Sequence, residues 1–231
     1  MSKVNRQIVS IPADKLSGMD RMFGSMMKLD IENMPAKFKN AFDKTREASF
    51  QSFSMKGIYE SFEIDVIEKD RIKLKNGAIL ESKLMTDVFR KSFELVFLVV
   101  TVYGYDEMDA AEDNMFLKLF LDNWGTAFIE CANSWTEKTI AKELENDELY
   151  CTYSFSPGQN DIPIEMQAVL FEALKPEEIG VTLSDRFMMH PKKSVSGIFG
   201  IQTERDEKGI RPCDLCEKKA TCPNAYDKLE R

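Results

Sequence analysis

The chain has 231 residues, 43% of them hydrophobic and 30% charged, which gives it enough apolar material for a buried core and excludes a disordered or fibrous chain. Its formal net charge of −8 argues against general nucleic-acid binding, because neutralising phosphates needs clustered Lys and Arg. The charge is uneven: residues 106–178 are strongly acidic, whereas bases exceed acids over residues 1–50, a pattern that fits either a partner-steering face or ordinary solvated surface.

The opening residues, MSKVNRQIVSIPADK, lack an apolar core segment and a small-residue cleavage site. The longest strongly apolar run, residues 95–103, is far shorter than the roughly 20 residues that cross a bilayer. A cytoplasmic protein without membrane contact is expected. Residues 1–15 show little periodicity and read as a loosely attached arm. Met19, Met22, Phe23, Met26 and Met27 then recur at helical spacing, and after Met34-Pro35 a second helix runs through Phe38, Phe42, Ala48 and Phe53. A methionine stripe of this kind fills a core or forms an adaptable binding surface. The chain divides on these grounds into a helical arm (1–39), an α+β domain (40–201) and a polar tail (202–231).

Over residues 58–80 the period changes. Phe62, Ile64, Val66, Ile72 and Leu74 alternate with charged residues, and Glu68-Lys69-Asp70 and Asn76-Gly77 supply turns, so a β-meander of two or three strands is predicted. Residues 82–92 read as a short helix. LVFLVVTVYG follows as a buried strand rich in β-branched residues and stopped by Gly104. Residues 106–144 are predicted to be mostly helix, capped by Asp106 or Asp109, with a wide apolar face that includes Phe120, Trp124 and Phe128. Gly125 interrupts that face. It either admits a backbone or a ligand at close range or relieves crowding beside Trp124.

Residues 150–155 alternate as a strand and turn at Ser156-Pro157-Gly158. Asp161 is expected to cap a helix with Pro163 and Glu165 in its first turn and Met166, Val169, Leu170 and Leu174 on its apolar face. Residues 182–189 read as strand or short helix. A Ser-Val-Ser-Gly turn then leads into an apolar strand ending at Ile201. The tail beyond Gln202 is polar and needs a staple to fold.

Cys213, Cys216 and Cys222 are the natural staple, spaced C-x2-C-x5-C so that thiolates converge on one soft metal ion. An iron–sulfur cluster or zinc is expected, with Cys131, Cys151 or an exogenous group as fourth ligand; a metal-free thiol cluster is the alternative. His190 is the single histidine, which excludes multi-histidine metal sites. The chain has no P-loop, no G-x-G-x-x-G and no G-x-S-x-G elbow. No self-sufficient catalytic set is present.

The stretch SPGQNDIPIEMQAVLFEALKPEEIGVTLSDRFMMHPKKSVSGIFGI resembles the C-terminal activation (S-adenosylmethionine-binding) domain of cobalamin-dependent methionine synthase, in its small stand-alone form with a cysteine-rich tail. LVFLVVTVYG is similar to that family's strand ending in Thr-x-Gly, and GTAFIE to its Gly-x-x-x-x-Glu helix. The resemblance covers roughly residues 40–201. It implies a C-shaped α+β domain with a twisted antiparallel sheet and flanking helices.

It also implies a ligand site at Glu130, Ser154, Ser156, Pro157, Gly158 and Gln159. Glu130 matches an acidic contact, and Gly158 the glycine of an Arg-x-x-x-Gly-Tyr motif. Ser154 stands at the arginine and Gln159 at the tyrosine of that motif, which removes a charge-assisted clamp of about 1.5–3 kcal/mol. The implied role is an accessory protein of corrinoid (vitamin B12)-dependent methyl transfer. It would dock on a corrinoid protein or cobalamin-dependent methyltransferase and assist its reductive activation, with cobalamin held by that partner. Two alternatives stay open: an S-adenosylmethionine-binding methyl-donor domain with an altered motif, and a non-catalytic corrinoid-protein-binding module with structural zinc.

Overall fold

A computed structural model of the chain describes residues 2–205 and 209–222. Residues 206–208 and 223–231 of the expected tail lie outside the described residues. In chain order the strands are β1 (Gln7–Ile11), β2 (Ser54–Ile67), β3 (Arg71–Leu74), β4 (Ile79–Glu81), β5 (Glu94–Tyr103), β6 (Tyr150–Cys151), β7 (Thr182–Leu183), β8 (Met189–His190) and β9 (Ser194–Gln202). The helices are α1 (Met19–Met27), α2 (Ala36–Ser52), α3 (Lys83–Val88), α4 (Tyr105–Ala111), α5 (Met115–Glu145) and α6 (Met166–Leu174). Seven strands form one curled antiparallel sheet in the order β4-β3-β2-β5-β9-β6, with β1 also paired to β2. The expected α+β class is observed.

Strand β5 lies at the centre of this sheet, and its composition follows from its position. Val96, Leu98, Val100 and Val102 face a core built with α1, α2 and α5. Leu95, Phe97 and Val99 face a second core formed with α3 and α6. A strand covered on both faces carries no polar alternation, which is why this one reads as a continuous apolar run. The meander also forms as expected, as β2, β3 and β4, with Gly77 turning at φ 93°.

The first helical core is organised around Trp124 of α5, which is fully buried. Phe23 of α1 stacks on it at 4.5 Å between ring centroids, and Phe42 of α2 approaches to 5.1 Å. The indole Nε1 donates to Thr45 Oγ1 at 3.1 Å, so the polar atom of the ring is satisfied. Of the methionine stripe, Met19 is buried and Met22, Met26 and Met27 pack against the same core. The stripe is core filling.

Four local expectations are corrected. The first residues are not a loose arm: β1 pairs with the edge of β2 over five residues, Val4 is buried, and the backbone N of Lys3 donates to the buried Glu94 carboxylate at 2.8 Å. Residues 106–144 are two helices. Asn114 breaks them and caps α5 by accepting from the backbone N of Phe116 at 2.9 Å, while Asp106 and Asp109 bind Lys192 instead. Asp161 caps nothing, because α6 starts only at Met166 after a run of turns. The strand expected over residues 194–201 is observed as β9, but its Ser-Val-Ser-Gly start is no turn: Ser194 lies opposite Thr101 and Gly197 opposite Leu98 within the strand. Residues 182–189, read as strand or short helix, fall in the β7–β8 hairpin, which ends at His190.

Gly125 admits side chains rather than backbone. A Cβ there would stand 2.8 Å from both Lys193 Cε and Tyr105 Cδ2. Lys193 crosses the helix at this point to reach Asp122 at 2.7 Å and Thr126 at 2.9 Å. Among the described residues no helix is long and apolar enough to cross a membrane.

Candidate functional site

The 31-residue α5 is long enough to carry polar residues past the core to the short edge strand β6. Between the second half of α5, β6 and the segment after β9 lies an open cleft of about 350 Å³. Glu137 and Glu145 project into it from α5, Cys151 and Ser154 from β6 and the loop that follows, Phe199 from β9, and Arg205 from the chain just beyond. Helical spacing places the two glutamates on one face of α5, eight residues apart.

The floor of the cleft depends on Gly197. A Cβ at that position would lie 2.5 Å from Ser154 Oγ, so glycine leaves the space in which the serine sits. Ser154 in turn hydrogen-bonds the Glu137 carboxyl, and Asn133 Nδ2 donates to Glu137 Oε1 at 3.0 Å. Burial raises the Glu137 carboxyl above its ordinary value. The two hydrogen bonds oppose that shift, and the charge of Glu130 adds to it. Arg205, which also lines the cleft, has no ion-pair partner among the described residues. The cleft lining thus combines carboxylate acceptors with a planar cation and the Lys138 ammonium.

Its thiol is not activated. Burial, with Glu137 and Glu145 adding to it, pushes the Cys151 thiol up to about 12. Burial and Glu130 push Cys131 up to about 11. Both thiols are neutral at pH 7, and a neutral thiol is a poor nucleophile and a poor metal ligand.

The residues singled out in the sequence are not gathered in one place. Ser154 lies in this cleft. Glu130, two helical turns before Glu137, opens into a second cleft of about 500 Å³ together with Cys131 and Trp135. Lys138 lines both. Ser156, Pro157, Gly158 and Gln159 line neither and form a closed turn. Ser156 Oγ donates to the Ser196 carbonyl at 2.6 Å, Pro157 is buried, the N of Gly158 donates to the Ile162 carbonyl at 3.0 Å, and Gln159 Oε1 accepts from the N of Ser156 at 3.4 Å. This turn ties the loop to β9 and so fixes where Ser154 sits. Glu137 escaped the sequence reading, although its i+7 relation to Glu130 on one helix was a usable signal. Arg205 carried no local signal at all.

Among the described residues no group of three His, Cys, Asp or Glu side chains is placed to hold a metal ion. Iron–sulfur or zinc ligation by Cys213, Cys216 and Cys222 is therefore without support in the described residues. Cys131 and Cys151, the suggested fourth ligands, line the clefts instead. The local staple is ionic. Asp214 takes Arg211 at 2.9 Å and Lys219 at 2.7 Å, and the Arg211 hydrogen bond, followed by that of Lys219, holds its carboxyl well below the usual carboxylate range.

The raised Glu137 carboxyl gives a pH test. A group whose folded-state value is raised favours the fold while protonated, and that contribution is lost as pH rises through the folded-state value. At pH values above the unfolded-state value, Glu137 therefore weighs against the fold. Glu137→Gln keeps both hydrogen bonds and removes the charge, so it is expected to raise Tm at pH 7. The gain should shrink toward zero in acid, where the wild-type carboxyl is itself neutral. Thermal denaturation from pH 4 to pH 8 reads this out; a gain independent of pH would show that desolvation of Glu137 is not its origin.

Among solved structures, one described as "Crystal Structure of the MetH Reactivation Domain bound to AdoHcy" matches with a TM-score of 0.68 at 15% sequence identity, over 100% of this chain and 90% of that one. At that identity the match shows a shared fold. No protein-family model matches the sequence, and no curated protein matches it at a significant level.

Proposed function

We propose that the chain is a reactivation-type domain working with a cobalamin-dependent methyltransferase or its corrinoid protein, and that its first cleft holds the amino-acid end of an S-adenosyl ligand. The observation that carries the reading is the full-length fold match to a domain solved with AdoHcy. The chemistry of the cleft supports it independently. An S-adenosyl amino acid carries an ammonium and a carboxylate on adjacent bonds, joined through sulfur to an apolar, ring-bearing remainder. Glu137 and Glu145 are acceptors for the ammonium, Arg205 is a forked donor for the carboxylate, and Phe199 and Leu149 supply apolar wall.

On this reading the clamp absent at Ser154 is supplied by Arg205, in the lining of the same cleft. Ser154 keeps a supporting part by hydrogen-bonding Glu137. Cobalamin is held by the partner. With both cleft-side thiols protonated at neutral pH, the domain positions a ligand and performs no bond-making of its own.

Isothermal calorimetry of the full chain against AdoHcy and S-adenosylmethionine tests the proposal. One-site binding is expected, with adenosine alone at least tenfold weaker because it lacks both groups that the charges engage. No heat at millimolar AdoHcy, or adenosine binding as tightly as AdoHcy, would sink it.

A further inference from the structure

A third hollow, of about 510 Å³, shares Cys151 and Thr152 with the first cleft and is closed by the end of α3, the turn beyond it and the end of β9. The side chain that sets its chemistry is Gln202. This residue is 3% exposed and ends β9, its backbone held opposite Tyr150 of β6. Alternation along β9 sends its side chain to the face of Ile198, toward α3, and away from that of Ile201. Its Oε1 is buried and accepts no hydrogen bond.

Buried amides are paired in nearly every case, because an amide oxygen stripped of water and given no donor costs folding free energy. The Thr152 hydroxyl in the same lining is already engaged: Oγ1 accepts from the N of Gly200 at 2.9 Å and donates to the Tyr153 carbonyl at 3.0 Å. The open acceptor is therefore left for a donor that arrives in the hollow. Charge around it is mixed. Asp87, in the last turn of α3, and Arg90 and Lys91 just past that helix line the hollow and are exposed. None of the three makes an ion pair among the described residues. Val88 adds apolar wall. A simple phosphate would suit the two cations but would set its oxygens against another acceptor at Gln202. A ligand that carries an N–H donor beside its anionic group suits all of them.

We infer that this hollow binds an α-carboxylate whose neighbouring nitrogen carries hydrogen, with that N–H donating to Gln202 Oε1 and the carboxylate on the Arg90 guanidinium, where Lys91 adds positive charge. Such a group occurs on a free amino acid and at the C-terminus of a peptide. The assignment is independent of the ligand proposed for the first cleft.

Calorimetry of the full chain carrying Arg205→Ala tests it, since that change removes the carboxylate contact proposed for the first cleft. L-leucine and N-acetyl-L-leucine probe the two sources, keeping the carboxylate and an N–H as ammonium or as amide. One-site binding of at least one of them at millimolar concentration is expected. Isocaproate, which lacks the nitrogen, and leucinamide, which lacks the carboxylate, should each bind about tenfold or more weakly. Tighter leucine assigns the site to free amino acids, and tighter N-acetyl-leucine to peptide ends. Gln202→Met keeps the side-chain length without the acceptor, so it should weaken binding about tenfold while Tm rises. Arg90→Ala, at an exposed residue, should weaken binding and leave Tm unchanged. The inference is overturned if neither probe binds, if isocaproate binds as tightly as leucine and N-acetyl-leucine, or if Gln202→Met binds as the parent does or lowers Tm.

Discussion

Replacing Gly104 with alanine is expected to destabilise the protein by about 2–5 kcal/mol, from left-handed strain of about 1–2 kcal/mol and overpacking of about 1–3 kcal/mol. The residue joins the end of β5 to the start of α4 at φ 87°. An added Cβ would stand 2.3 Å from the carbonyl oxygen of Ser52 and 3.1 Å from its carbonyl carbon. That obstacle is backbone: Ser52 ends α2, and Phe53 after it leads directly into β2. Relief would require moving a helix that is packed on Trp124 or a strand paired to β5 along ten residues. Gly77 is the matched control, because its φ is 93° and an added Cβ there meets nothing within 4 Å. Gly77→Ala should therefore cost the strain alone, about 1–2 kcal/mol. Urea denaturation of both variants decides the matter. Equal losses would mean that the approach of Ser52 is not felt.

What could be read from the sequence depended on whether the governing contact was local. Patterning within one element marked β5, as an unbroken apolar run, and the β2–β3–β4 meander and helices α1 and α2, by their periodicity, since each displays its burial in its own residues. Strand β1 was missed because it is a short edge strand with Ile8 half exposed, held by β2 far along the chain. The break before α5 was missed because two overlapping apolar faces read as one, and only the short segment 112–114, ending in the Asn114 cap, separates them. The site divides on the same line. Glu130 and Ser154 were found through resemblance, yet the helix carries Glu130 into a different cleft from Ser154. Glu137 joins Ser154 across the fold, and Arg205 enters from a segment whose composition says only that it is polar. The C-x2-C-x5-C spacing promised a metal, but spacing fixes sequence distance only. Asp214, lying between Arg211 and Lys219, sets the local geometry instead.

Arg205→Ala is expected to lower affinity for AdoHcy by about ten- to a hundredfold, the equivalent of one charge-assisted carboxylate contact of about 1.5–3 kcal/mol. The size of the effect follows from where the charge stands. Arg205 lines the same cleft as Glu137 and has no ion-pair partner among the described residues, so its removal leaves Lys138 as the remaining cation of the lining beside Glu137 and Glu145. An ammonium does not replace the forked donor that is lost. Arg205→Lys should recover only part of the loss, because an ammonium is a point charge and cannot reproduce the parallel two-bond geometry of a guanidinium. Stability is expected to be unchanged in both variants, since Arg205 is exposed and contributes to neither core. That separation is the useful part of the test. Adenosine, which has no carboxylate, should bind the wild type and Arg205→Ala equally. If adenosine and AdoHcy lose affinity together, Arg205 shapes the cleft rather than clamping the carboxylate, and the missing charge at Ser154 has not been replaced.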